Sequence, residues 1–233
     1  EVEDDDRAST EETTGSLLGV IVPFMLVVSL LMGTMYPAID TTAGERERGT
    51  LETILTLPVT NQELIFSKFL TVGTIGVASA LLNVLSMGGI GVYLYKLAAQ
   101  TTSMVSKIQV SKFVPAILVC CLCILAFAVL ISALSMCFCV FAKTYKEANN
   151  YITPLMLLVM FASFIGFMPN VTLTRNMALV PVANICLLIR DLLAFKFSFS
   201  AITIVLFSNV AYGIIAVLVL GKLYNSEAIL FGD

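Results

Sequence analysis

The charged residues of this sequence are concentrated in one short segment between two apolar runs. Residues 43–58 read AGERERGTLETILTLP and contribute Glu45, Arg46, Glu47, Arg48 and Glu52. Only 12% of the chain is charged, so this density predicts a specific electrostatic role. Glutamate and arginine side chains at such spacings form ion pairs along a helix or bind a protein surface of complementary charge.

The spacing predicts a short amphipathic helix over residues 42–57. Thr42 followed by Glu45 matches the capping box, in which a threonine side chain bonds a free helical amide and the glutamate bonds back. Arg48 lies three residues after Glu45 and four before Glu52, which are the spacings of ion pairs on one helix. An apolar stripe opposite these charges is formed by Leu51, Ile54 and Leu55.

A turn separates this predicted helix from the next apolar run. Pro58 ends the helix, because the residue before a proline avoids the α region. Thr60 and Glu63 repeat the capping-box pattern and predict the start of the following helix. Two functions fit such a segment: an interfacial helix that orients its neighbours through snorkelling arginines, or a docking element for a soluble partner. Alternating signs suit a protein groove better than an anionic lipid surface, and the residues alone leave both functions open.

Hydropathy predicts an all-α polytopic membrane protein. Hydrophobic residues make up 58% of the chain and the mean hydropathy is +0.97, whereas soluble domains are about 45–50% apolar. A helix that crosses a bilayer needs roughly 18–20 apolar residues. Runs of this kind predict five spans, over residues 17–39, 63–95, 113–142, 151–168 and 201–224.

Two further segments differ from the spans. Residues 178–195 are apolar but contain Asn184, Arg190 and Asp191. Because a charge at the bilayer centre costs about 2.5–3.5 kcal/mol, we expect an interfacial or re-entrant helix there. Residues 1–15 carry seven carboxylates, which predicts a solvated, mobile segment at the end of a soluble domain.

The sequence lacks the residues for several kinds of chemistry. It contains no histidine, which excludes an HExxH zinc site, a Ser-His-Asp triad and a histidine proton relay. It also lacks the phosphate-binding motif G-x-x-x-x-G-K-S/T. We therefore expect a chain that is not an enzyme and binds no cofactor itself. A net charge of −3 gives no footprint for binding nucleic acid.

The cysteines are expected to pack as small apolar side chains rather than to bind metal. Five of the six lie in one apolar run, and the groups around Cys121 and Cys137 would be about 24 Å apart on a helix. One metal ion could not bind both groups. Disulfide frameworks belong to small secreted domains, so free cysteines are predicted.

Polar side chains inside the spans are candidates for a transport path. They are Ser79, Asn83, Asn149, Asn150 and Asn209. Buried polar groups often mark such paths in membranes, but serine and asparagine also join helices by hydrogen bonds, and this second role is favoured for each residue. Arg190 and Asp191 fit an external gate or, as the favoured interpretation, a pair of interfacial anchors.

A family resemblance bears on the choice between these functions. The run 44–70, GERERGTLETILTLPVTNQELIFSKFL, closely resembles the signature of ABC-2 type ABC transporter permeases, especially their NatB-like sodium-exporter branch. The run 181–193, PVANICLLIRDLL, and the C-terminal Glu227 are similar to the same branch.

The resemblance implies that the charged segment contacts an ATPase subunit on the cytoplasmic side. The implied coupling residues are Glu45, Arg46, Glu47, Arg48, Leu51, Glu52, Leu55 and Pro58. It also implies six spans with a large external domain between the first and second. The five spans would then belong to a permease domain, residues 16–233, without its first helix, and residues 1–15 would be the end of the external domain.

Orientation likewise rests on the resemblance. Lys and Arg divide six against six between the two sides, so the positive-inside rule does not decide. The resemblance places residues 40–63, 143–150 and the C-terminus inside. Residues 1–15, 96–112 and 170–200 would lie outside, with 178–195 near the exit of the pathway.

The function implied is that of the permease subunit of an ATP-driven exporter in the cell membrane of a bacterium or archaeon. It would move Na⁺ or another small substrate outward, with drugs, peptides or lipids as alternative cargoes. A separate ATPase would bind ATP and Mg²⁺, and a second copy or a paralogue would complete the pathway within the lipid bilayer. A secondary transporter or channel without an ATPase is less supported, because the spans contain almost no carboxylates.

Overall fold

The computed structural model describes residues 2–50, 53, 58–101, 113–168, 171–193 and 198–224. Within these ranges all regular elements are helical. The α-helices are α1 Val2–Ile39, α2 Glu45–Glu47, α3 Asn61–Thr101, α4 Phe113–Cys139, α5 Tyr145–Ser163, α6 Ala183–Leu193 and α7 Phe199–Tyr224. A π-helical turn, Asp40–Gly44, joins α1 to α2, and 3₁₀ turns lie at Phe164–Phe167 and Met177–Leu179.

Five of these helices are long and apolar enough to cross a membrane. The candidate spans are Ile21–Glu47, Gln62–Ser86, Leu118–Cys139, Tyr145–Phe167 and Phe199–Leu223. The predicted all-α fold with five spans is therefore confirmed.

Several helices are longer than their apolar cores. The first begins at Val2, so the backbone of the acidic residues is helical where a separate mobile segment was predicted. The third helix runs to Thr101, because the polar residues after the apolar run, among them Lys96 and Gln100, are good helix formers.

The fourth span begins earlier than predicted because Thr144 caps it. The Thr144 side chain accepts a hydrogen bond from the Glu147 amide at 3.2 Å, and α5 starts at Tyr145 rather than near 151. The pattern Thr-x-x-Glu at 144–147 is the same start signal that Thr60 and Glu63 provide.

The core of the bundle lies around α4, which contacts α1, α3, α5 and α7. Its facing side chains interdigitate with those of its neighbours. The largest fully buried side chains include Leu30, Leu31, Phe127, Ile131 and Ile152. The outward faces carry large exposed apolar side chains, as expected for helices that face lipid, among them Leu82, Leu85, Phe161 and Phe207.

The short helix α6 is packed inside one end of the bundle rather than on its surface. Every residue from Ala183 to Ile189 is buried, and α6 contacts α1, α4, α5 and α7. A helix that is apolar around most of its circumference is stable only when surrounded. Its 11 residues span about 16 Å, too short to cross a bilayer. The predicted helix over 178–195 is thus shorter, because Pro181 and a strained turn interrupt its start.

That turn is centred on Val182, a buried residue with a positive φ of 70°. The Ala183 amide donates to the Pro181 carbonyl at 2.9 Å and closes a three-residue turn. A β-branched residue in this conformation is strained, by about 1–3 kcal/mol. The turn sets the direction in which α6 enters the bundle.

Candidate functional site at the charged end of the bundle

The two ends of the bundle carry different polar groups, and each is named here by one residue. The Glu45 end comprises residues 40–50, 58–68 and 139–147. The Arg190 end comprises residues 164–168, 171–193 and the beginning of α7. The charged segment singled out in the sequence lies at the Glu45 end.

The first span continues into the charged segment without a break. The π-helical turn Asp40–Gly44 connects α1 directly to α2. The hydroxyls of Thr41 and Thr42 donate to the carbonyls of Pro37 and Ala38 at 2.7 and 2.6 Å. Wide turns of this kind inside helices are common at functional sites.

Thr42 therefore does not cap a helix, which corrects the predicted capping box with Glu45. Because the chain is already helical before Thr42, no free amide is present for its hydroxyl to bond. The side chain instead bonds a carbonyl four residues back, as threonines in membrane helices commonly do. It is buried in the interior of the bundle.

A buried ion pair ties the charged segment to the next span. The ammonium of Lys68, in α3, donates to the Glu45 carboxylate and to the Thr41 carbonyl, the latter at 2.8 Å. Lys68 is only 5% exposed. Both its partners lie at the end of the first span, so the pair locks α1 and α3 together at this end.

Two further side chains tie the segment to the connection between α4 and α5. Arg46 Nη1 donates to the Ala142 carbonyl at 3.4 Å. The Glu47 carboxylate accepts a hydrogen bond from the Tyr145 amide at 2.6 Å. Arg46 and Glu47 thus join the first span to the connection between α4 and α5, and Glu45, which spacing paired with Arg48, binds Lys68 of α3 instead.

Arg48 is exposed and pairs with Asp40. Helix α2 ends at Glu47, just before Arg48, because Gly49 adopts the left-handed conformation, with φ of 69°, and its amide bonds the Arg46 carbonyl. The predicted continuous helix over 42–57 is therefore interrupted at Gly49. The predicted coupling residues Leu51, Glu52 and Leu55 lie outside the described residues.

Beyond these positions the chain enters α3 through a capping box. Pro58 is exposed and lies in a non-helical link before the helix. The Thr60 amide donates to Glu63 Oε2 at 2.8 Å, and the Glu63 amide donates to Thr60 Oγ1 at 3.4 Å. This reciprocal pair sets the direction in which α3 leaves the Glu45 end.

The polar candidates in the second span join helices. Asn83 Nδ2 donates to Ser29 Oγ and, at 2.9 Å, to the Ser79 carbonyl. Ser79 also faces Gly33 so closely that a Cβ at Gly33 would lie 2.5 Å from Ser79 Oγ. Small residues at such a seam let two backbones approach, and asparagine adds a hydrogen bond between them.

Asn209 belongs to a buried polar cluster at the Arg190 end. Its amide donates to Asn184 Oδ1 at 3.3 Å, and Asn184 in turn donates to Ser208 Oγ and the Ala178 carbonyl, both at 3.1 Å. The cluster fastens α6 to α7. Asn209 Oδ1 is fully buried and has no hydrogen-bond partner among the described residues.

The remaining candidates do not face a common cavity. Asn149 and Asn150 are exposed in the first turns of α5. Arg190 donates to the carbonyls of Gly166 and Met168 at 3.2 and 3.3 Å and to that of Val171. It therefore holds the chain after α5 against α6. Asp191, beside it, is half-buried.

No cofactor or metal site is evident in the described part of the chain. No group of His, Cys, Asp and Glu there could hold a metal ion, and the six cysteines are free. Burial raises the pKa of the Cys186 thiol to about 11, although a hydrogen bond with Ser163 acts in the opposite direction. Cys186 is thus an unreactive thiol at neutral pH.

The sequence interpretation missed Lys68, Tyr145 and Thr144. Lys68 lies at a helical position among apolar residues, where a single lysine is typical of a snorkelling side chain. Its carboxylate partner is 23 residues away, so no local spacing pointed to it. Thr144 could have been found from the capping pattern, and Tyr145 participates only through its backbone amide.

Five apolar helices joined by buried polar contacts, with a charged cluster at one end, define a multi-pass plasma-membrane protein. The chain belongs to the ABC-2 family of transporter proteins, whose family profile matches residues 2–222. Members of this family are the membrane subunits of ABC transporters and are not themselves ATPases.

One curated relative is the ABC transporter permease protein NatB of Bacillus subtilis (strain 168). The two are 27% identical over 184 residues, which cover 78% of this chain and 46% of the relative. The chain thus spans about half the length of that relative. No solved structure matches the chain significantly.

Proposed function

We propose that this chain is the permease subunit of an ATP-driven exporter and that its Glu45 end docks on a separate ATPase subunit. One observation carries the proposal: the segment 45–48 is bonded to two neighbouring parts of the bundle. Glu45 binds Lys68 of α3, and Arg46 and Glu47 bind the connection between α4 and α5. A movement imposed on this segment would reach α1, α3, α4 and α5 together.

The segment is suited to transmitting force because its links are short and partly desolvated. It continues directly from α1 through the π-helical turn. Lys68 is buried and the Glu45 side chain is 21% exposed, so salt screens this pair less than it would a fully exposed one. The first span and α3 are also held together near their middle by Asn83 and Ser29. The two helices would therefore move as one body when the ATPase closes.

The proposal includes an orientation. The Glu45 end would face the cytoplasm, where ATP is available, and the Arg190 end would face outward with α6 near the exit. The resemblance of residues 44–70 to permeases supports this assignment, since the corresponding segment in that family is cytoplasmic.

The cargo we propose is Na⁺ or another small substrate, with drugs, peptides or lipids as alternatives. The support is the resemblance of the charged segment to the sodium-exporter branch. ATP and Mg²⁺ would be bound by the ATPase, and a second copy or a paralogue would complete the pathway. An ATPase-independent transporter is the competing hypothesis. A full-length protein that copurifies with no ATPase would contradict our proposal.

Reversing the charge of Arg48 tests the docking proposal. In the full-length protein, Arg48→Glu is expected to weaken association with the ATPase encoded beside it by about tenfold, or about 1.4 kcal/mol. The reason is that an exposed cation at a protein interface steers and orients its partner. Association is measured by copurification and titration, and ATPase stimulation by phosphate release.

Asp40→Asn is the matched control. It breaks the same ion pair with Arg48 but keeps the arginine charge, and an exposed pair of this kind contributes little to stability. Association should be unchanged in this variant. Equal losses in the two variants would assign the effect to the ion pair, and undiminished association in Arg48→Glu would place docking elsewhere.

Cysteine labelling tests the orientation. Arg175 and Gln62 are exposed at opposite ends of the bundle. In intact cells, a membrane-impermeant maleimide should label Arg175→Cys, whereas Gln62→Cys should react only after permeabilisation. The unmodified protein, whose cysteines lie within the spans or in buried α6, serves as the background. The reverse pattern would invert the proposed orientation.

A further inference from the structure

The π-helical turn Asp40–Gly44 determines which side of the helix each charge of segment 45–48 occupies. Such a turn holds one residue more than an α-helical turn, and each residue of an α-helix turns the chain by about 100°. If an α-helix continued through residues 40–44 instead, every later residue would move into the place now held by the residue after it. The turn therefore sets the rotational register of the whole segment.

The alternating signs of the segment make this register specific. In the α-helical register, the buried ammonium of Lys68 would face Gly44 and lose its carboxylate. At the connection between α4 and α5, the Glu45 carboxylate would meet a carbonyl and the Arg46 guanidinium would meet an amide. An unpaired buried charge and unmatched polar groups both destabilise a protein. A shift of one residue would therefore break all three contacts at once.

Lys68 also binds a backbone group that is available only because the α-helical pattern is interrupted. In a regular α-helix, the Thr41 carbonyl accepts the amide of the residue four positions later, which is Glu45. The Glu45 amide donates to the Thr42 carbonyl instead, and the Thr41 carbonyl accepts the Lys68 ammonium at 2.8 Å. The same turn thus frees the carbonyl and places the carboxylate that Lys68 binds.

Two threonine hydroxyls hold the turn. Thr41 Oγ1 donates to the Pro37 carbonyl at 2.7 Å, and Thr42 Oγ1 donates to the Ala38 carbonyl at 2.6 Å. Threonine hydroxyls that bond back to the main chain compete with the hydrogen bonds of a regular helix and often bend it. Because these two lie within the turn and bond carbonyls just before it, they favour the wide turn over a continuous α-helix.

We infer that Thr41 and Thr42 are positioning residues for the transmission of movement. They hold the π-helical turn, and the turn sets the register in which segment 45–48 joins α1 to α3 and to the connection between α4 and α5. The inference rests on the proposed function, because the movement to be transmitted is that of the ATPase subunit. Neither threonine needs to contact that subunit for this role.

A deletion and an insertion of one residue test the register. In the full-length protein, deletion of Gly44 removes the residue that the turn accommodates, so segment 45–48 should keep its contacts. ATPase stimulation and the unfolding temperature in detergent should then stay near those of the unmodified protein. Insertion of one alanine after Gly44 should lower stimulation about tenfold and lower the unfolding temperature, because Lys68 loses its partner. A segment sensitive to any disruption would respond equally to both changes.

Removal of the hydroxyls tests the threonines themselves. Thr41→Val/Thr42→Val keeps the side-chain size, shifts the segment toward the α-helical register and should lower ATPase stimulation about tenfold. Deletion of Gly44 from this double variant should restore stimulation and unfolding temperature, because an α-helix shorter by one residue returns the charges to their partners. Thr71→Val/Thr74→Val is the matched control and should change neither quantity, since these hydroxyls bond back to carbonyls at 3.0 Å within the regular helix α3.

Three results would overturn the inference. They are equal losses after the Gly44 deletion and the alanine insertion, unchanged stimulation in Thr41→Val/Thr42→Val, and a loss in that double variant that deletion of Gly44 does not reverse. Arg48→Glu separates the inference from the proposed function. If it weakens association with the ATPase while the threonine variant stimulates normally, docking stands and the positioning role fails. If Arg48→Glu also has no effect, the proposed function fails as well.

Discussion

Replacing Gly76 with alanine is expected to remove most of the folded protein. A Cβ at this position would lie 2.3 Å from Thr34 Cγ2 and 3.5 Å from Ser132 Oγ. Thr34 cannot readily turn away, because it is fully buried and its hydroxyl bonds the Leu31 carbonyl at 2.9 Å. Overpacking of this kind destabilises by about 1–3 kcal/mol or more.

Movement of the helices does not relieve the clash. One turn further along the same seam, Gly33 faces Ser79 with a similarly close approach. Separation of α1 and α3 would also break the Asn83–Ser29 bond, and in a bilayer such packing contacts and polar bonds hold helices together. The effect should therefore be larger than for an alanine substitution at an ordinary buried site.

The comparison with Gly73 isolates the steric effect. Gly73 lies on the same helix, and a Cβ there would meet nothing within 4 Å, so Gly73→Ala should preserve yield and unfolding temperature. Thr34→Ala removes the clashing methyl group and should restore folded protein to Gly76→Ala. Monodisperse yield and thermal unfolding in detergent measure all variants. If Gly76→Ala unfolds at the temperature of Gly73→Ala, the close contact does not exist.

Lys68→Met is expected to have an effect comparable to that of Gly76→Ala. Removing one partner of a buried ion pair typically destabilises by about 3–5 kcal/mol, because the remaining charge is left without compensation. Here that charge is Glu45, whose side chain is 21% exposed. Because water partly solvates it, the loss of stability should lie near the lower limit of that range. The Thr41 carbonyl also loses its donor.

The double variant Lys68→Met/Glu45→Leu separates charge from structure. Because it leaves no unpaired charge, its unfolding temperature in detergent should recover most of the loss. Its ATPase stimulation should stay low, since the link between the charged segment and α3 is absent. Lys222→Met, at an exposed lysine, should change neither quantity. If Lys68→Met and Lys222→Met unfold at the same temperature, the Lys68–Glu45 ion pair does not stabilise the fold.

The number and type of spans were predictable because hydropathy depends on local sequence. The approximate positions of all five follow from runs of apolar residues long enough to cross a bilayer. Their polar ends were less predictable. Helix α5 begins at Tyr145 through a cap that hydropathy does not register, and α1 continues beyond its apolar part in both directions.

The contacts of the charged segment were not predictable in the same way. Spacing within 45–48 showed which charges could pair locally, but the structure gives Glu45, Arg46 and Glu47 partners 23 to 98 residues distant. Arg48 pairs with Asp40, eight residues before it. Such partners depend on how the spans assemble. Thr42 illustrates the same difficulty, since its role changes from cap to buried back-bond once the preceding helix is known to continue.

The position of α6 could not be predicted without the fold. Its charged and polar residues indicated that it does not cross the membrane, which its 11-residue length supports. The neighbouring helix α7 helps to bury α6 on nearly all sides. It also supplies Ser208 and Asn209, which bond Asn184. A single sequence gives the apolar faces of a short helix but not the elements that cover them.

The π-helical turn Asp40–Gly44 makes the length of this segment as informative as its composition. Such a turn contains one residue more than an α-helical turn, and each residue rotates a helix by about 100°. Deletion of the extra residue would let the α-helix continue and would leave Glu45 and Glu47 facing Lys68 and Tyr145, because the π-helical turn already accommodates that residue without rotating the helix after it. A further insertion that the turn does not accommodate would rotate both side chains by about 100° and break the two contacts. When this chain is aligned with its relatives, a gap of one residue between Ile39 and Glu45 is therefore compatible with the same contacts, whereas an additional residue there marks a different set, even where the charges themselves are identical.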